Sequence, residues 1–197
     1  MKTVLYLDCC LRGEQSRTKI IANAFFDVLL KRGGFRVETV TLDNIPIAPL
    51  GRAEYEHREK LLAQGSLNDG MFDLAKQFAR ADIVVVAAPF WDMGIPAKLK
   101  TYFENVSVSG ITFKCTEAGC NGLCRAEKMV YITTRGMDIA DGSIMEQASP
   151  YLVALTKFFD IGGFDMVSAY GLDIQVDKVE QLVANAAERA TKLAETL

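Results

Sequence analysis

Ile83-Val84-Val85-Val86-Ala87-Ala88-Pro89-Phe90-Trp91-Asp92-Met93-Gly94-Ile95-Pro96 is the stretch from which the fold is read. Its β-branched run is short and uninterrupted, the pattern of a strand buried on both faces at the centre of a parallel sheet. The run gives way to a turn holding the chain's only tryptophan. Pro96, a residue suited to the first helical turn, then opens a helix. Ligands of open α/β sheets sit just outside such carboxyl strand ends. Pro89, Phe90, Trp91, Asp92 and Met93 are therefore candidate contacts, with aromatics and a thioether suited to a flat apolar ligand.

Working outward, residues 3–7 read as a first strand and 8–15 as a polar turn. Ser16 is placed to cap a helix whose Ile20, Ile21, Ala24, Phe25, Val28 and Leu29 keep helical spacing. Gly33-Gly34 stops it, and 35–42 alternates as an edge strand does. After a Pro-containing loop, 52–63 is a charged helix standing outside the main pattern. Residues 67–80, capped by Ser66, form the helix that leads into the central strand. The helix from Pro96 runs to about Val106, 110–127 reads as irregular, and 129–134 is a fourth strand. A helix over 143–159, a strand over 164–170 and a last helix from about Val176 complete the chain. Five alternations of strand and helix imply a parallel sheet covered on both faces by right-handed crossovers. The expected order is 2-1-3-4-5, in one domain spanning 1–197.

Composition excludes several classes. Half of the 197 residues are hydrophobic and 24% are charged, ordinary for a soluble globular chain. A net charge of −3 gives no reason to expect nucleic acid or an anionic membrane as partner. No run approaches the roughly 18 apolar residues of a membrane span. The apolar start, Val4-Leu5-Tyr6-Leu7, is cut by Asp8 and is too short for a signal peptide, so a cytoplasmic location is expected. Five cysteines without an export signal are expected to be reduced thiols.

In that topology three strand ends meet at one rim. The first carries Cys10, Ser16, Arg17 and Thr18: hydroxyls, a cation and the free N–H groups of a helix start, the components of an anion site. Neither Gly-x-Gly-x-x-Gly nor a Walker Gly-Lys-Ser/Thr occurs, which speaks against a dinucleotide fold and a P-loop. The second is the aromatic turn quoted above. The third is Thr134-Arg135-Gly136-Met137, where a glycine admits close backbone approach and polar groups can meet ring edges. Together they fit a ligand with a phosphate at one end and an aromatic plate at the other. FMN has that shape.

On these residues the chain resembles the flavodoxin-like FMN-dependent NADH-azoreductases and, more distantly, the animal-type NAD(P)H:quinone reductases. Phe90-Trp91-Asp92-Met93 stands where the azoreductases carry a Met-Tyr-Asn-Phe-type flavin loop. Gly94 to Lys100 is similar to the quinone-reductase continuation of that loop, and Gly110-Ile111-Thr112-Phe113 and Gly122-Leu123 match the turn before the fourth strand. The resemblance implies a flavodoxin-like three-layer sandwich, a homodimer, and a ping-pong reaction. Hydride would pass from NADH or NADPH to flavin N5, and then to a quinone or azo compound. It implies phosphate contacts at Cys10, Ser16, Arg17 and Thr18, and ring contacts at Phe90 to Met93 and Thr134 to Met137. No catalytic side chain is required, because the cofactor carries the chemistry. Cys10 replaces the usual Ser, Asp92 an Asn, and Met137 a Gly.

Two features stand apart. His57, the only histidine, sits among glutamates with no motif and reads as solvated. Cys115, Cys120 and Cys124 are placed in a loop near the flavin rim. They read as free thiols with no metal, since C-x4-C-x3-C is not the spacing of a metal motif. Alternatives are an iron–sulfur flavoprotein using those cysteines and a flavodoxin-like electron carrier.

Overall fold

The central β-branched run is a strand whose every residue is buried. It lies in a computed structural model that describes all 197 residues. The strands are β1 (Lys2–Asp8), β2 (Phe35–Thr41), β3 (Ile83–Ala87), β4 (Phe113–Thr116), β5 (Gly119–Gly122), β6 (Lys128–Thr134) and β7 (Phe164–Ala169). Five form one sheet in the order β2-β1-β3-β6-β7. All neighbours in it are parallel. Numbered within that sheet, the order is the expected 2-1-3-4-5.

The helices are α1 (Arg17–Arg32), α2 (Arg52–Ala63), α3 (Asp73–Arg80), α4 (Ala97–Val106), α5 (Ala148–Phe159) and α6 (Val179–Thr196). Successive strand residues point to opposite faces, so the sheet divides its core in two. Leu5, Leu7, Val84, Val86, Met129 and Tyr131 face α3, α4 and α5 through Phe78, Leu99, Tyr102, Phe103 and Phe159. Val4, Tyr6, Ile83, Val85, Val130 and Ile132 face α1 and α6 through Ile21, Phe25, Leu29, Val183, Ala186 and Ala190. Both faces of the central strands are covered, which is why those strands are apolar throughout rather than alternating. No helix is long and apolar enough to cross a membrane.

Three expectations about local structure change. The helix expected over 67–80 starts later: Asp69 accepts from Met71 N at 2.9 Å and heads a 3-10 turn before α3, a local bond that competes with helix. The helix expected from 143 begins at Ala148. The carboxylate of Glu146, nearly fully buried, caps it by accepting from Ala148 N and Ser149 N at 3.0 Å each.

The irregular segment 110–127 instead contains the antiparallel hairpin β4–β5, with Cys115 opposite Cys120 and the two joined in a disulfide. Directly opposed Cβ atoms in such a pair lie within disulfide reach, so these two cysteines are not the reduced thiols that composition suggested. The hairpin is also at the other end of the sheet from the expected rim. Arg125 N bonds Ala79 O at 3.2 Å and Glu127 N bonds Asp82 O at 2.9 Å, tying it to the amino-terminal approach of β3.

Candidate functional site

At the carboxyl ends of β1, β3 and β6 a cavity of about 230 Å³ is lined by Leu11, Arg12, Ser16, Arg17, Thr18, Pro89, Phe90, Trp91, Thr134, Arg135, Gly136, Leu172 and Asp173. It sits between β1 and β3, where the strand order reverses, the place the topology reserves for ligands.

Its floor is the start of α1. Ser16 is the N-cap, its hydroxyl accepting from Lys19 N at 3.4 Å. The N–H groups of Arg17 and Thr18 belong to the first helical turn, which has no intrahelical acceptors and carries the positive end of the helix dipole. Thr18 is fully buried, and its Oγ1 lies 2.7 Å from Thr134 Oγ1, joining the helix start to the end of β6.

The wall after β3 is built by continued strand pairing: Ala88 N bonds Ile132 O and Phe90 N bonds Thr134 O, both at 3.1 Å. Trp91 and Gly94 then exchange backbone hydrogen bonds of 3.0 and 2.8 Å. The turn between them holds Asp92 at φ 47 and Met93 at φ 63. This is a two-residue primed turn, whose twist matches a strand pair but whose left-handed backbone favours Asn, Asp or Gly. Asp92 suits it; Met93 does not, and the residue is held there because it packs on the core and its carbonyl accepts from Gln147 N at 2.9 Å. The turn leaves the Trp91 ring half-exposed at the cavity mouth, with Asp92 exposed at the tip. Of the five candidates in this loop, Pro89, Phe90 and Trp91 line the cavity and Asp92 and Met93 do not.

The opposite wall is Thr134, Arg135 and Gly136, with Met137 exposed beyond it. Arg135 is the largest fully buried side chain. Its guanidinium donates to Ile139 O at 2.8 Å and pairs with Asp141 Oδ1 at 2.7 Å. It lies 5.4 Å from the Phe90 ring centroid and 6.0 Å from that of Tyr170, cation–π range for both. Only its Nε lacks a partner. The guanidinium is thus committed to holding the 139–141 loop and the Phe90 ring.

Cys10 departs from expectation more sharply. Its N–H donates to Asp8 Oδ1 at 2.9 Å and its Sγ to Ala87 O at 3.6 Å, so neither group is free for an anion. Burial pushes its thiol up to about 12. His57 lies exposed on α2.

Four lining residues escaped the sequence reading: Leu11, Arg12, Leu172 and Asp173. Arg12 was legible as a second cation in the turn after β1. Leu172 and Asp173 follow β7, outside the three strand ends considered, and reach the cavity because pairing continues past the sheet. Leu172 N bonds Arg135 O at 3.2 Å and Asp173 N bonds Gly136 O at 2.9 Å. Asp173 Oδ1 then meets Arg17 Nη1 at 3.1 Å.

The fold is a doubly wound α/β sheet with a polar helix start and an aromatic turn at its switch point, the place where such sheets take their ligands. The chain belongs to the flavodoxin-like-fold family, whose model matches residues 2–194. A curated relative named FMN-dependent NADH:quinone oxidoreductase, from Caldicellulosiruptor saccharolyticus, is 32% identical over 208 residues and covers 98% of each chain. Another of that name, from Clostridium beijerinckii, is 35% identical over 197 residues, again covering 98% of each. Among solved structures, an azoreductase, AzrA, superposes with a TM-score of 0.87 at 26% identity, covering 99% of this chain and 100% of its own.

Proposed function

We propose that this chain is an FMN-dependent oxidoreductase that uses NADH or NADPH to reduce quinones or azo compounds. The carrying observation is the cavity itself: an anion-type helix start and an aromatic wall stand on its two sides at the switch point. The names of the full-length relatives point the same way.

The residues present fit FMN. Ser16, Arg17 and Thr18 would hold the phosphate with their hydroxyls, guanidinium and first-turn N–H groups. Gly136, with no Cβ, leaves room in the wall for the Asp173 carboxylate. At about 230 Å³ the cavity is smaller than most cofactor sites, so the ring system would extend out over Trp91 at the mouth. Bound there, FMN would supply hydride-accepting and two-electron-delivering chemistry at N5 between a nicotinamide donor and the acceptor.

The chain's own part is orientation. Phe90 is fixed by its bond to Thr134 and by Arg135, Trp91 offers a plane for stacking, and the Thr18–Thr134 contact ties the floor to the wall after β6. Such preorganisation lets two reactants meet in near-attack geometry. No general acid is required of the protein.

The site is completed, in this reading, by a second copy of the chain. Leu11, Trp91, Met137, Ile144 and Met145 are large apolar side chains exposed on or near the rim, a grouping that marks an interaction surface.

The test is titration of the purified chain with FMN, followed by NADH and NADPH turnover with a quinone and an azo dye and by mass measurement in solution. Stoichiometric yellow complex, bleaching by NADH alone and a dimer mass are expected. Absence of flavin binding would sink the reading. Bleaching only with a separate reductase would make the chain an electron carrier.

A further inference from the structure

The two exposed cysteines and the three buried ones differ in kind. Cys9, Cys10 and Cys124 are buried, and burial pushes each thiol up to about 12, so almost none is thiolate near neutral pH. Cys115 and Cys120 are exposed and already joined. They are the chain's only sulfurs open to an external thiol.

Their setting gives the bond something to control. They form the third of the four rungs of β4–β5, flanked by Lys114 opposite Asn121 and Thr116 opposite Gly119. A hairpin of two four-residue strands is marginal in water by itself. Its base is anchored independently of the sulfurs. The Phe113 ring lies 4.7 Å from that of Phe158. Gly122 rests against the backbone of Phe159 and Asp160 so closely that a Cβ could not be accommodated. Cys124 N bonds Phe159 O at 3.2 Å. Beyond the cross-strand bonds and the disulfide, the tip, residues 114–121, has two long bonds of the Thr116 hydroxyl, to Gly119 O at 3.4 Å and from Ala118 N at 3.3 Å.

We propose that Cys115 and Cys120 form a reversible thiol–disulfide exchange site for a dithiol reductant, with the order of the hairpin tip following the state of the bond. A thiolate of the reductant attacks one sulfur, forming a mixed disulfide and releasing the other as a thiolate that takes a proton from water. The reductant's second thiol then displaces the remaining sulfur. The chain gains two electrons and two protons, and the reductant leaves as its disulfide. This site is independent of the cavity, which lies at the opposite ends of the strands.

The experiment equilibrates the intact protein in a series of reduced and oxidised dithiothreitol buffers, then alkylates it natively at neutral pH and maps the modified cysteines. Two alkyl groups should appear together, on Cys115 and Cys120, across one two-electron transition that reverses on returning to the oxidised buffer. Trypsin should cut after Lys114 at least about fivefold faster in the reduced protein, because cleavage follows the open population. A Cys120→Ser variant treated with glutathione disulfide should take up one glutathione at Cys115, releasing one reduced glutathione, and without that treatment should show the fast cleavage in every dithiothreitol buffer. The proposal is overturned if the pair stays closed in the most reducing buffer or stays free in the most oxidising one. Equal cleavage in the two states overturns its second half.

Discussion

Gly136 and Asp173 are packed so that a methyl group on Gly136 would stand 2.8 Å from Asp173 Cγ, and closer still to its Oδ2. The missing side chain makes room for a carboxylate beside the proposed phosphate position, where it pairs with Arg17 at 3.1 Å. That carboxylate competes with any anion for the Arg17 guanidinium. Asp173→Asn should therefore tighten FMN binding, by about two- to fivefold, since exposed ion pairs are worth up to about 1 kcal/mol. Gly136→Ala should displace the Asp173 side chain outward with less than about 1 kcal/mol lost, because that side chain is mostly exposed. Fluorescence titration of FMN at low salt checks the first, and weaker binding by the Asn variant would count against it.

Arg135 and Asp141 make an asymmetric pair: the guanidinium is fully buried and the carboxylate half-exposed. Asp141 also accepts from Ser168 Oγ at 2.7 and 2.9 Å. Asp141→Asn leaves a buried cation without its anion, a change of about 3–5 kcal/mol. Arg135→Met leaves a carboxylate that can hydrate and fills most of the vacated space, so it should cost less, about 2 kcal/mol. Urea unfolding of the two variants decides it. The reverse ranking would mean that Ile139 O and water already satisfy the guanidinium.

The sheet was legible because its strands are short apolar runs separated by well-punctuated helices. Ile83 to Ala87 could be little else than a central strand, and Ser16 caps its helix as its side chain suggests. The hairpin was not legible, because Phe113-Lys114-Cys115-Thr116 and Gly119-Cys120-Asn121-Gly122 are only four residues each, mostly exposed, and the second is half glycine. They pair through backbone bonds and a contact with α5 that no local pattern announces. In the site, the residue types at Ser16 to Thr18 and Phe90–Trp91 were readable from their positions at strand ends. What could not be read was direction. Arg135 and Cys10 sit in the right segments, yet their polar groups turn inward to Asp141, Ile139, Asp8 and Ala87. Asp173 enters only through pairing beyond the end of β7.

Acid stability should depend on Asp82. Its carboxylate accepts from Thr3 N at 2.7 Å and from Arg125 Nε at 3.0 Å, and these bonds, the Thr3 amide first, hold it below the usual carboxylate range. A group with a depressed folded-state value stabilises fully above its unfolded value, about 4 for Asp. That contribution is lost as pH falls through the lower folded value. The stability difference between the wild type and Asp82→Asn should therefore be flat from pH 8 to 5 and shrink below about 4. Thermal unfolding across that range measures it, and a difference that grows on acidification would contradict the assignment.

Asp92 tests where the aromatic turn places its charge. Removing a carboxylate near a bound flavin favours the reduced, more negative state, so Asp92→Asn should raise the flavin midpoint potential. The turn geometry limits the size of that effect: Asp92 is at the exposed tip and does not line the cavity, and water and salt screen such a charge. The shift should be positive but below about 30 mV, equivalent to about 1.4 kcal/mol in a two-electron couple. Asn also tolerates the left-handed backbone at φ 47, so stability should hold within about 0.5 kcal/mol. Met93→Ala, which loses core packing while keeping the unfavourable φ 63, should lower stability by about 1–2 kcal/mol. Spectroelectrochemistry with bound FMN and urea unfolding separate the two effects. A shift well above 30 mV would show that the turn folds inward over the ring when the cofactor is bound.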